Sequence, residues 1–197
     1  MTPEAARPEG FKRVAQALVQ LGHAHAPLWL EIAARTSQDA ADALGVTVGQ
    51  IAKSVIFRRR SDDRAVLVIT SGDRRVDEAK VGAVTGALGR ADAAFVKAST
   101  GFAIGGVAPI AHATPPLTLI DRELFRFSEI WAAAGHPNGS SKRILRHEQP
   151  ALLLRRARVE VWPRWPLHCR DRAMEPSPPW PVRAAAGHRA AQPQHPR

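Results

Sequence analysis

The chain has 197 residues, 45% of them hydrophobic, which suits one domain with a real core and room for an appendage. Its formal charge of +10 is unevenly spread: residues 1–138 hold 16 Lys and Arg against 14 Asp and Glu, residues 139–197 hold 12 against 4, so the basicity does not mark the body as a nucleic-acid binder. The single Cys169 excludes an intramolecular disulfide and a cysteine-built metal site, and no apolar run approaches the roughly 18 residues that span a membrane. The first ten residues lack the charged and apolar blocks of a signal peptide, so a cytoplasmic protein without a membrane partner is expected.

Phe11, Val14, Ala15, Leu18 and Leu21 recur at helical spacing before Gly22 and predict a first amphipathic helix. His23 and His25 follow, but no third ligand lies at suggestive spacing, so a link between elements is expected there rather than a metal site. Leu28 to Ala33 reads as a strand. Thr36 and Ser37 can cap a short helix that Gly45 ends. Ile51 to Arg58 reads as a strand whose alternation puts Ile51, Lys53, Val55 and Phe57 on one face. The run Arg58 to Asp63 makes a charged turn, and Ala65 to Thr70 is the return strand.

Asp77 is placed to cap a helix lined by Val81, Val84 and Leu88, although Gly82, Gly86 and Gly89 weaken it. A strand is expected at Ala93 to Ala98 and another at Leu117 to Asp121, while Phe127 to Ala133 fits strand or helix. Gly135-His136-Pro137-Asn138 is a turn. Short strands mixed with three helices give an α+β domain with a mixed or mainly antiparallel sheet.

Two features carry chemistry. Lys53 stands alone in an otherwise apolar strand, and a cation at the mouth of a core is costly unless something anionic meets it. Thr100-Gly-Phe-Ala-Ile-Gly-Gly-Val-Ala-Pro supplies adjacent glycines, Gly105 and Gly106, whose backbone can lie against a ligand. Taken singly, the lysine also reads as a snorkelling edge residue and the Gly-Gly as a plain turn.

In their order and spacing, Ile51-Ala-Lys-Ser-Val-Ile-Phe, the glycine segment and Gly135-His-Pro-Asn resemble the YbaK/prolyl-tRNA-synthetase-associated domain family. Thr36-Ser-Gln-Asp-Ala-Ala-Asp-Ala-Leu-Gly-Val and Leu119-Ile-Asp support the likeness, which covers roughly residues 10–138. The resemblance implies a single mixed α/β barrel-like domain and a hydrolase important for translation fidelity. That activity is an aminoacyl-tRNA deacylase, acting in trans on Ala- or Cys-tRNA of the proline type. It further implies Lys53, Gly105 and Gly106 as catalytic, and Val107, Pro109 and His136 as substrate-binding residues, with no metal and no cofactor. The implied partners are the aminoacylated 3′ end of tRNA and either prolyl-tRNA synthetase or an elongation factor. Without a cysteine nucleophile in the body or an evident Ser-His-Asp set, positioning fits better than a covalent route. A non-catalytic tRNA- or synthetase-binding relative is the alternative.

The resemblance is expected to stop at Asn138, leaving 1–138 without the family's usual closing element. Residues 139–197 hold 9 of the 16 prolines and 11 arginines beside one lysine, a composition that predicts an atypical basic tail. Disorder is expected there, apart from a short helix or strand around Ala151 to Val161. The abrupt change reads as an out-of-frame stretch of a GC-rich gene, or alternatively as a basic extension gripping tRNA phosphates.

Overall fold

Strand β3 (Ala65–Ser71) organises the fold, because every residue of Ala-Val-Leu-Val-Ile-Thr-Ser is buried. A strand apolar on both faces needs cover on both. Val66 and Val68 pack with Phe57, Leu119 and Val81, the last from helix α3 (Glu78–Thr85). Leu67 and Ile69 meet Ala52, Ile120, Leu124, Ile130 and Ala132 on the opposite face. The computed structural model describes residues 7–144 and 159–162, all within one compact unit, Met1–Arg164.

β3 pairs antiparallel with β2 (Ile51–Arg59) across the charged turn and parallel with β5 (Leu117–Asp121). On its other edge, β2 pairs in parallel with β6 (Glu129–Ala133). β6 continues antiparallel to β7 (Gly139–Ile144), which pairs with the two-residue β1 (Leu28–Trp29). The strand order is β1-β7-β6-β2-β3-β5-β8, with β8 (Val159–Trp162) parallel to β5 and β4 (Leu88–Arg90) set against the end of β2. This mixed sheet with its helices is the mixed α/β domain expected from the sequence.

The sharing of β2 between two partners matters for the site. β6 takes only Ile51 and Ala52, and β4 takes Phe57 to Arg59. Between them, Lys53 to Ile56 have no strand partner on that edge among the described residues. Helix α1 (Glu9–Gln20) buries Phe11, Val14 and Leu18 against Val96, Phe102, Val107, Ala108 and Ala134, and so braces the glycine segment. Helix α2 (Ser37–Leu44) starts with a reciprocal capping box between Thr36 and Asp39 and ends on Gly45 in the left-handed region.

Four local expectations are corrected. Ala93 to Ala98 is not a strand but the body of helix α4 (Ala93–Thr100). Asp92 caps it by accepting from the Phe95 N–H at 2.8 Å, and Gly101 closes it, so the end signals outweigh a short apolar run that suits either state. Leu88 leaves helix α3 for β4, because Gly86 at φ 94° terminates the helix first. The strand expected from Leu28 to Ala33 covers only Leu28–Trp29. Finally, order does not break at Asn138: Gly139–Ile144 forms β7 in register with β6, Ala132 facing Ser141. Gly-Ser-Ser carries little apolar signal, and its pairing comes from β6 rather than from its own composition. Apart from β7 and from β8, which begins at the end of the 151–161 segment, the expected tail lies outside the described residues.

Candidate active site at the Lys53 cleft

Lys53 stands near the start of β2, on the face that carries Val55 and Phe57 into the core. It is half-buried, and its Nζ donates to the Gly72 carbonyl at 3.3 Å and to the Arg74 carbonyl. Burial pushes its pKa below the ordinary lysine value; the Asp73 carboxylate opposes that shift and Arg75 adds to it. An ammonium has three N–H donors, so two carbonyls leave one for a ligand.

Gly105 and Gly106 do different work. Gly105 is exposed, has φ +83°, and lines the cleft beside Lys53. Gly106 is buried, and its N–H closes a turn by donating to the Ala103 carbonyl at 3.0 Å. The expectation that both glycines present N–H groups to a ligand therefore narrows to Gly105. Val107 reaches the cleft from the α1 core, whereas Pro109 is half-buried and does not line it. The loop beyond is clamped by Arg13, whose Nε donates to the Ala111 carbonyl at 2.9 Å. His112 bonds the Ala108 carbonyl through Nε2 at 2.8 Å, which requires that nitrogen to carry the proton. Burial pushes the His112 pKa below its usual value.

His136 does not line the cleft. Its ring stacks on Trp29 with centroids 5.0 Å apart and planes 21° from parallel, and its Nδ1 accepts from the Asn138 N–H at 3.1 Å. Trp29 is also held by the edge of Phe11, 5.3 Å between centroids, and by the Arg7 guanidinium 4.4 Å from its ring centre. Pro137 and Gly139 line the cleft instead. The same turn fastens the segment after β1: Leu30 N–H donates to the Asn138 carbonyl at 2.7 Å and Ala34 N–H to the Pro137 carbonyl at 3.1 Å. His136 thus buttresses the turn whose Pro137 and Gly139 line the cleft.

The cleft has a volume of about 320 Å³ and opens where β6 parts from β2. Sequence reasoning missed Arg35, Thr36, Ser37, Ser54, Trp131 and Ser140 as lining residues. Thr36 and Ser37 were legible only as a helix cap, and Ser54 as the opposite face of the lysine strand. Ser54 Oγ is buried with no hydrogen-bond partner among the described residues. Two cations, Lys53 and Arg35, with a glycine backbone and small hydroxyls set in apolar walls, suit a small polar group carried on an anionic ligand.

Known proteins resemble this chain in sequence and in fold. A family model for the aminoacyl-tRNA editing domain matches residues 31–143, which includes α2, the Lys53 strand, the glycine loop and most of β7. YwhH of Bacillus subtilis is 33% identical over 111 residues, covering 56% of this chain and 70% of its own. A proline–tRNA ligase of Lactobacillus helveticus is 38% identical over 77 residues, 38% of this chain but only 13% of the ligase. A crystal structure described as a candidate trans-editing enzyme for prolyl tRNA synthetase superposes with a TM-score of 0.69 at 34% identity, covering 79% of this chain and 98% of that one. This chain belongs to the aminoacyl-tRNA editing domain family.

Proposed function

We propose that the protein is a cytoplasmic aminoacyl-tRNA deacylase that acts in trans on misacylated tRNA of the proline type, with alanine or cysteine as the amino acid removed. Family membership and the trans-editing structural neighbour support a deacylase-type role with a tRNA substrate, and the ligase match points to prolyl-tRNA synthetase. Neither carries anything toward an elongation factor. The observation that carries the reading is the Lys53 ammonium in a cleft also lined by Gly105 and Val107.

The reaction adds water to the aminoacyl carbonyl carbon and breaks the bond to the ribose oxygen, which leaves with a proton. Lys53 holds a phosphate or polarises an oxygen as a compact point charge. The Gly105 backbone orients the carbonyl or the water. Catalysis then rests on positioning, assisted by the substrate's own ribose hydroxyl, with no covalent intermediate.

A second reading has one observation in its favour: two of the three Lys53 donors are already engaged by loop carbonyls. In that reading the chain binds tRNA or a synthetase without cleaving the ester. Incubation with Ala-tRNA and Cys-tRNA charged on the proline acceptor separates the two. Ester loss well above the buffer rate supports the deacylase, and binding without ester loss supports the second reading.

A further inference from the structure

The two carbonyls that hold Lys53 belong to one short loop, Gly72 to Arg75, and that loop carries a carboxylate, Asp73, between them. A free carboxylate at this place would pair with the lysine. It is instead drawn the other way, its pKa held below the usual carboxylate range first by the Ser71 hydroxyl and then by Arg126. Arg126, from the short turn after β5, meets Asp73 with Nη2 to Oδ2 at 2.6 Å. The same Nη2 lies 3.3 Å from Ser71 Oγ, and Ser71 in turn donates to the Gly49 carbonyl at 2.5 Å.

Several contacts fix the guanidinium itself. Its Nη1 pairs with Glu123 at 3.0 Å, it lies 4.6 Å from the Phe127 ring centre, and a Cβ on Gly49 would stand 2.7 Å from Nη2. Glu123 also reaches Arg74 at 3.6 Å, so the two central residues of the lysine-holding loop are tied to the same turn. The charged groups acting on the Lys53 ammonium are Asp73 and Arg75. Arg75 repels it, which leaves Asp73 as the group able to quench it.

We propose that Arg126 is a positioning residue for Lys53: it keeps the Asp73 carboxylate on its own guanidinium and fixes the carbonyls of Gly72 and Arg74 that aim the amine at the cleft. The effect on turnover rests on the deacylase reading, whereas the effect on the lysine does not.

The test compares the wild type, Arg126→Gln and the double variant Asp73→Asn/Arg126→Gln. Lys53 is acetylated with a small N-hydroxysuccinimide ester near neutral pH and quantified by peptide mass spectrometry against Lys80, which is exposed on α3. In Arg126→Gln the freed carboxylate pairs with Lys53, and relative labelling is expected to fall by about tenfold, the effect of one pKa unit. The double variant removes that carboxylate and is expected to restore labelling to within about twofold of wild type, as coupled neighbours do in a mutant cycle. A merely structural loss would persist in the double variant, which lacks the same ion pair. With Ala-tRNA or Cys-tRNA as substrate, deacylation should fall in Arg126→Gln, where the ammonium is paired with Asp73, and recover in the double variant. Unchanged labelling in Arg126→Gln, or no recovery in the double variant, overturns the proposal. A wild-type protein that labels as expected but cleaves no ester overturns the deacylase reading and leaves this one standing.

Discussion

Gly106 lies directly against the backbone of His136: a Cβ built on it would stand 2.8 Å from His136 Cα and 2.9 Å from His136 N. Because the neighbour is main chain, no side chain can swing aside. Gly106→Ala must push the glycine loop off the turn that carries Pro137, and is expected to cost about 1–3 kcal/mol, the usual penalty for overpacking a fixed site. Gly105→Ala meets only the Pro137 ring at 3.7 Å, but at φ +83° it carries backbone strain of roughly 1–2 kcal/mol. Urea unfolding of the two variants checks the order, and a Gly106→Ala protein as stable as wild type would contradict the packing described.

The Trp29 and His136 stack makes a distinct prediction. Trp29→Ala removes contacts to His136, Phe11 and Arg7 together, and is expected to lower stability by about 2–4 kcal/mol. His136→Ala should lower stability less and leave the preference between alanine and cysteine esters unchanged, since the ring does not line the cleft. A switch in ester preference without a change in melting would return His136 to the amino-acid pocket.

His112 gives the loop after Val107 a pH dependence. Its folded pKa lies below the ordinary 6.5, mainly through burial. Between those two values the unfolded chain binds more protons than the folded one, so stability rises with pH through the window and is lost on acidification. His112→Gln keeps an N–H for the Ala108 carbonyl but cannot titrate. Its unfolding free energy should vary less than that of wild type between about pH 5 and about pH 7.5.

Lys53 has the corresponding alkaline signature. Its folded pKa lies below the ordinary 10.5, so the folded state releases its proton first. Stability should rise with pH between the folded value and 10.5 relative to Lys53→Met, which lacks the group. The difference between the two proteins, followed by urea unfolding at increasing pH, is the measurement. A wild-type stability that falls relative to Lys53→Met as pH rises would place the lysine in a site that favours its charge.

Much of this was legible in the sequence where local signal and tertiary context agree. The β3 run is apolar at both parities because it is covered on both faces, and its neighbour shows Lys53 breaking the pattern on the core side. Helix α2 carried its cap in Thr36 and Asp39. What escaped depends on contacts far apart in the chain. Asp73 and Arg126 are charged residues in surface turns until the fold brings them to 2.6 Å. The stack of His136 on Trp29 cannot be read from either segment alone, and Gly139–Ile144 reads as the start of a disordered tail until β6 pairs with it. Helix α4 differs for a local reason: its short apolar run suits either state, and the end signals at Asp92 and Gly101 decide for the helix.

The role of Lys53 is most directly tested by single-turnover deacylation of Ala-tRNA and Cys-tRNA on the proline acceptor, with wild type, Lys53→Ala and Lys53→Arg compared at matched folding. Lys53→Ala is expected to lose about a hundredfold or more of the rate, in the range for removing one transition-state donor. Lys53→Arg should recover little of it, because a planar fork does not replace a compact ammonium. Wild-type rates in a folded Lys53→Ala protein would contradict the mechanism at its centre.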